Sequence, residues 1–209
     1  INKKKYPLFS FPGTCVGMSL SKDNNEAVYC RSGEIWYYCY DINEKRSKHI
    51  RLINNDGKNF YPILLKNGDV IFCTDSKKLI NNFFSSKAVG PQIGLYKANE
   101  KSIELLTDGG YCISPSFSSL KNKLLYSKKI NGIFQIFEYD LDTKIHKQIT
   151  NGKGNKIDAS WSPCGNFIVF NYKLGKVSRI AIFNINLKKI NFITPKNKIC
   201  YSPAWSVNF

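Results

Sequence analysis

The sequence predicts an all-β fold, a β-propeller, on three observations: an anchor motif that recurs along the chain, a second apolar run at fixed phase behind each anchor, and two further strand signals that close each unit. The anchors are Met18-Ser19-Leu20-Ser21, Pro62-Ile63-Leu64-Leu65, Pro115-Ser116-Phe117-Ser118, Ala159-Ser160-Trp161-Ser162 and Pro203-Ala204-Trp205-Ser206, spaced by 44, 53, 44 and 44 residues. A period of roughly 20 to 50 residues marks a repeat architecture in which each supersecondary unit buries its apolar face against the next.

Behind the first four anchors a short apolar run ends on an aromatic: Ala27-Val28-Tyr29, Val70-Ile71-Phe72, Leu124-Leu125-Tyr126 and Ile168-Val169-Phe170. Between anchor and run stand the turn formers Asp23-Asn24-Asn25, Asn67-Gly68-Asp69, Lys121-Asn122 and Cys164-Gly165-Asn166, so each pair reads as a β-hairpin. Third strands follow at Tyr37-Tyr38-Cys39-Tyr40, Leu95-Tyr96, Ile136-Phe137-Glu138-Tyr139 and Ile182-Phe183-Asn184-Ile185, each succeeded by Asp or Asn as a turn starter. Fourth strands close the units at residues 50–53, 104–107, 147–150 and 191–194. Four strands per unit at this period define a propeller blade, whereas a β-sandwich gives short strands with no reason to repeat one anchor at one phase.

The expected layout is an outer strand over residues 6–11, blades over about 14–53, 57–107, 110–150 and 154–194, and a closing inner strand over 199–206. The longer second unit places its extra residues between Asp75 and Gln92, with Asn81-Asn82-Phe83-Phe84-Ser85-Ser86 expected as a protruding loop. A closing strand without a first blade to complete leads to the expectation that the chain is the C-terminal part of a longer protein.

Composition narrows the function classes. Hydrophobic residues make up 43% and aromatic residues 14% of the 209, which supplies a large core and excludes disorder. No apolar stretch approaches the roughly 18 residues needed to span a bilayer. The formal charge is +16, yet only Arg31, Arg46, Arg51 and Arg179 among the 31 basic residues are arginines. Base and phosphate recognition favours the bidentate guanidinium, so dispersed lysine reads as solvated surface and no nucleic-acid partner is expected. A polyanion-binding propeller is the weaker reading.

Catalytic signals are sparse. There is no Gly-x-Ser-x-Gly elbow. His49 and His146, the only histidines, occupy equivalent fourth-strand positions two blades apart, which places them on the outer rim and too far apart to share a metal. Gly152-Lys153-Gly154 lacks the third glycine of a phosphate loop and reads as a turn. The seven cysteines contain no C-x-x-C: Cys15, Cys112 and Cys200 precede their anchors by three residues, and Cys30 and Cys73 follow the second-strand aromatics. Small-residue packing is the simplest role for them, with a three-thiolate site at the channel mouth as the alternative. Neither a catalytic residue nor a cofactor or bound metal is expected.

The runs Gln135-Ile136-Phe137-Glu138-Tyr139-Asp140-Leu141-Asp142, Gln148-Ile149-Thr150-Asn151-Gly152 and Ala159-Ser160-Trp161-Ser162-Pro163-Cys164-Gly165 resemble the repeat of the TolB family. Pro203-Ala204-Trp205-Ser206-Val207-Asn208-Phe209 is similar to the family's terminal motif, and Ser10-Phe11-Pro12 stands eight residues before Met18 as a similar segment does there. Peptidases of the prolyl oligopeptidase type carry similar blades. The resemblance implies a six-bladed propeller in the periplasm, non-enzymatic and peripheral to the outer membrane. It further implies binding to the lipoprotein Pal, contact with other Tol proteins through a separate N-terminal domain, and a part in envelope integrity and constriction at division. The family's Pal site lies on loops leading into the inner strands, which the resemblance carries to Thr14, Gly17 and Phe60, with Ile113 and Ile157 equivalent in later blades.

Overall fold

The computed structural model describes residues 15–23, 25–41, 46–83 and 90–205. They form sixteen strands and one short helix. The strands are β1 (Cys15–Leu20), β2 (Glu26–Arg31), β3 (Glu34–Asp41) and β4 (Arg46–Ile53); β5 (Asn59–Leu64), β6 (Val70–Thr74), β7 (Gln92–Lys97) and β8 (Ser102–Leu105); β9 (Cys112–Ser118), β10 (Lys123–Ile130), β11 (Ile133–Asp140) and β12 (His146–Gln148); and β13 (Asn155–Trp161), β14 (Phe167–Leu174), β15 (Val177–Asn184) and β16 (Lys189–Phe192). Each group of four is one antiparallel sheet with its strands in chain order. The sheets stack consecutively, and β1 touches β5, β5 touches β9 and β9 touches β13. This is the arrangement of four consecutive propeller blades.

Strand alternation explains the stacking. Along β6, Val70 and Phe72 face the first sheet and join Val28, Cys30, Ile35, Ile53 and Tyr96. Ile71 and Cys73 point the opposite way into a second core with Ile93, Leu95, Leu124 and Tyr126. A third core between the last two sheets holds Leu125, Ile136, Trp161, Ile168, Phe170 and Phe183. Runs such as Val70–Thr74 are buried on both faces, which is why they read as continuous apolar sequence and not as alternating sequence. Each fully buried Ile, Leu or Phe contributes about 1.5–3 kcal/mol through desolvation, so the sheets are held chiefly by their neighbours.

The anchors stand on the first strand of each sheet, with Leu20 opposite Ala27, Leu64 opposite Val70, Phe117 opposite Leu124 and Trp161 opposite Ile168.

Three expectations need correction or fall outside the described residues. The insertion expected as a loop contains a helix, α1 (Lys77–Phe83). Ser76 caps it by accepting the Leu79 N–H at 3.2 Å, Asp56 accepts the Lys78 N–H at 3.0 Å, and Ile80 buries its side chain. The closing strand expected over 199–206 is not a strand across 199–205. An inner strand needs a second strand to pair with, and β2, β6, β10 and β14 already have partners on both edges. The segment keeps inner-strand character nonetheless, because Ser202 has the same left-handed backbone (φ 50°) as the residues before earlier anchors, and Trp205 Nε1 donates to the Ser160 carbonyl at 3.0 Å. The outer strand expected over 6–11 lies outside the described residues.

Candidate functional site

Every inner strand carries a bulge one residue before its anchor. Pairing with the second strand shifts register between Cys15 and Met18, between Phe60 and Ile63, and between Ile157 and Ser160, and on β10 between Leu125 and Ser127 opposite β9. The residue at the bulge adopts positive φ each time: Gly17 at 78°, Tyr61 at 53°, Ser114 at 53° and Asp158 at 55°. A bulge re-aims the side chain it carries, and a non-glycine residue held left-handed costs of order 1–3 kcal/mol. Glycine, serine and aspartate tolerate this backbone; tyrosine does so at greater cost.

These four positions lie side by side on touching inner strands. Ser114 Oγ donates to Asp158 Oδ1 at 2.8 Å, tying β9 to β13. Tyr61 is 43% exposed, and its ring meets Phe60 edge-on at 5.5 Å. Desolvation raises the Tyr61 hydroxyl above its usual pKa, with the Asp158 charge adding to the effect. Tyr111, also exposed, packs edge-on against Phe134 at 5.6 Å. An exposed pair of tyrosines and a half-buried carboxylate give this rim an aromatic and acidic character within a strongly basic chain.

The segments leading into the inner strands are fixed by bonds to the preceding blade. Asn59 donates its backbone N–H to the Gly33 carbonyl at 2.8 Å and its amide to the same oxygen at 2.7 Å. Cys112 N–H reaches the Pro91 carbonyl at 2.8 Å, Asn155 Oδ1 accepts the Phe134 N–H at 2.8 Å, and Cys200 N–H reaches the Ser178 carbonyl at 3.1 Å. Behind them a clamp repeats. Thr107 Oγ1 donates to Gln92 Oε1 at 2.8 Å and accepts the Ile93 N–H, while Gln92 Nε2 donates to the Gly110 carbonyl. Thr150 and Gln135 do the same one blade later, with Gln135 donating to the Gly152 carbonyl. In the last sheet Arg179 replaces glutamine and donates to the Thr194 carbonyl. Lys156, almost fully buried, donates to the carbonyls of Asn151, Gly152 and Lys153 at 2.8 to 3.0 Å, and desolvation lowers its pKa. The Gly152-Lys153-Gly154 turn is therefore organised around an internal ammonium.

Gly17, Phe60, Ile113 and Ile157 lie on β1, β5, β9 and β13 at this same end. Gly17 stands against Tyr61 and Pro62, where an added Cβ would lie 3.4 Å from Pro62 Cδ. Phe60 and Ile113 are half-buried against the core between the second and third sheets, and Ile157 is half-buried on β13. Thr14 lies outside the described residues. The bulge residues Tyr61, Ser114 and Asp158 were not anticipated, although their place directly before each anchor marks them in the sequence.

His49 and His146 sit on the outer strands β4 and β12, two blades apart with the second sheet between them. Cys112 is fully buried between sheets, where burial pushes its thiol up to about 11, so it does not line a mouth. Among the described residues no group of three or more His, Cys, Asp or Glu could hold a metal, and no helix is long and apolar enough to cross a membrane.

The fold defines a class, the β-propeller, with a rigid rim of inner-strand bulges at one end. Within that class the chain has the TolB-like form. It matches a putative TolB from Agrobacterium tumefaciens with a TM-score of 0.74 at 16% identity, covering 95% of this chain and 68% of that one. It matches TolB from Acinetobacter baumannii with a TM-score of 0.65 at 16% identity, covering 90% of this chain and 45% of that one. A puromycin-hydrolyzing peptidase of Mycobacterium tuberculosis matches with a TM-score of 0.69 at 8% identity over 95% of this chain and 31% of the peptidase. No protein-family model and no curated protein matches the sequence.

Proposed function

We propose that this chain is a non-enzymatic protein-binding module of the Tol-Pal system, located in the periplasm, which binds the peptidoglycan-associated lipoprotein Pal. In this role it supports outer-membrane integrity and envelope constriction in cell division, and it stays peripheral to the outer membrane. The observation that carries the reading is the likeness to two TolB structures over at least 90% of the chain, joined to the repeat and terminal motifs that resemble the same family. The bonded inner-strand rim suits the task, because a surface held before binding loses little further entropy when a partner docks. Other Tol proteins are the further partners of the family reading.

Calorimetric titration of the purified full-length protein with its cognate Pal tests this. Saturable one-to-one binding is expected, and the absence of heat at micromolar concentrations of both proteins would remove the proposal.

The likeness to the Mycobacterium tuberculosis peptidase supports a second reading, the propeller of a prolyl-oligopeptidase-like serine peptidase. A reading frame that continues beyond Phe209 into a hydrolase domain would favour it.

A further inference from the structure

We propose that the tip of the β14–β15 hairpin and the lysines around it form a contact surface for an anionic phospholipid bilayer. The inference goes beyond the protein-binding reading and does not depend on it.

Charge is concentrated in this part of the chain. Residues 151–209 hold nine of the 31 basic side chains and one of the 15 acids, Asp158, and so carry half of the net +16. Register and hydrogen bonds bring five of these lysines to one end of the last sheet. Lys173 pairs with Asn155 where β13 begins and β14 ends, and Lys153 stands in the loop just before. Lys176 lies in the two-residue turn between Leu174 and Val177. Lys196 and Lys198 belong to the stretch after β16, which the Cys200 N–H ties to the Ser178 carbonyl at 3.1 Å beside the same tip. All five are exposed, and among the described residues none of them makes an ion pair. Lys156 and Arg179 differ, since backbone carbonyls hold both.

Apolar side chains stand among these lysines. Leu174 is 49% and Val177 38% exposed. Strand alternation puts them on the face that Phe170, Tyr172 and Ala181 turn toward the third sheet, so they overhang a neighbour that is present and does not cover them. A Cβ added at Gly175 would meet nothing within 4 Å, so the turn projects. Tips of other sheets are built differently. The first carries Arg31 and Glu34 at the two flanking positions. The third carries Ile130 and Ile133, both half-buried, and its lysines are engaged, Lys128 with Asp108 at 3.5 Å and Lys129 over the Phe134 ring at 5.8 Å.

Unpaired lysines are drawn to an anionic surface, and a convex apolar tip gains free energy by leaving water. A bilayer supplies both: headgroup phosphates for the lysines, and a hydrocarbon boundary soft enough to admit two aliphatic side chains. Nucleic acid offers the charge alone, since leucine and valine give bases neither a stacking plane nor a hydrogen bond.

Sedimentation of the full-length protein with vesicles tests this. Vesicles mixing phosphatidylglycerol with phosphatidylcholine should bind it at least about tenfold more strongly than phosphatidylcholine alone, and added salt should weaken the binding. Lys173→Gln/Lys176→Gln should cost about tenfold in affinity, and so should Leu174→Ser/Val177→Ser, which keeps every charge. Lys188→Gln/Lys189→Gln removes the same charge at the opposite end of the sheet, where Lys189 pairs with Asn184, and should bind as wild type does. Melting temperatures within a few degrees of wild type establish that these exposed variants are folded. Failure to sediment with the mixed vesicles overturns the proposal, as does an equal loss in the Lys188 and Lys189 variant, which would mark diffuse attraction by net charge. Wild-type binding by Leu174→Ser/Val177→Ser also overturns it, because the surface would then be a lysine site for polyanions such as duplex DNA. Vesicle binding without Pal binding would remove the Tol-Pal reading and leave the bilayer contact standing, and the reverse result would do the opposite.

Discussion

The first and third sheets build one position of the repeat differently from the second and fourth. In the first, Tyr29 stands opposite Trp36, and its hydroxyl shares a 2.9 Å hydrogen bond with His49 Nδ1. In the third, Tyr126 stands opposite Phe137, and its hydroxyl shares a 2.9 Å bond with His146 Nδ1. The second and fourth sheets place Phe72 opposite Gly94 and Phe170 opposite Ala181, with Ile103 and Ile190 at the outer-strand position of the histidines. Three residues therefore vary together: tyrosine, a large aromatic and histidine, or phenylalanine, a small residue and isoleucine. The cause is steric and polar at once. A buried tyrosine needs a partner for its hydroxyl, which the outer-strand imidazole provides. A phenylalanine needs none, and where its ring reaches across to the third strand the facing residue must be small.

The largest expected effect comes from forcing one set into the other. In Gly94→Phe, which installs the Phe137 equivalent in the second sheet, the Cβ alone would sit 2.9 Å from Phe72 Cζ, and both residues are buried. A destabilisation of about 3 kcal/mol, the upper end of ordinary overpacking, is expected in urea unfolding, with Gly94→Ala costing less. If Gly94→Phe unfolds at the wild-type midpoint, the small residue opposite Phe72 is not a steric requirement. A smaller effect is expected at the hydrogen bond. His146→Ile leaves the Tyr126 hydroxyl without its partner and should cost about 1–2 kcal/mol, while adding Tyr126→Phe recovers most of the loss. Additivity in that double-mutant cycle would mean that tyrosine and histidine are not a unit.

Much of this was legible in the sequence, and the remainder was hidden for physical reasons. The sheets were visible because anchors and aromatic runs carry the apolar material that packs blade on blade. The equivalence of His49 and His146 could be counted along the chain, but their tyrosine partners required knowing which strand edges face each other. Helix α1 was obscured because its stabilising groups, Asp56 and Ser76, are 20 residues apart and meet only in the fold. At the rim the expected positions Phe60 and Ile113 proved to feed the core, whereas the neighbouring Tyr61 and Ser114 occupy the bulge. A bulge moves the strand out of step by one residue, which periodicity of two cannot register. The Gln135 and Thr150 clamp lies inside the family-like motif yet shows no role there, since its work is to bond backbone groups that the sequence does not display.

The smallest expected effect is a pH dependence of the third sheet, which His146 supplies. Desolvation lowers its folded pKa below the ordinary 6.5; Lys128 acts in the same direction and Asp108 opposes it. In the window between the lowered folded value and 6.5 the unfolded chain binds a proton that the folded chain resists, so stability rises with pH there. The contribution is complete above about 6.5 and is lost as pH falls through that window. Because the imidazole is exposed on its outer side, the loss should be shallow. Asp23, Asp56 and Asp140, whose pKa values are also lowered, act at lower pH: their stabilisation is present above the usual carboxylate value of 3.8 and fades below it. Urea midpoints between pH 5 and 7 should therefore decline gently in wild type, while Tyr126→Phe/His146→Ile flattens that segment and leaves the steeper acid limb in place. An unchanged slope in the double variant would show that the tyrosine and histidine pair does not link this sheet to protons.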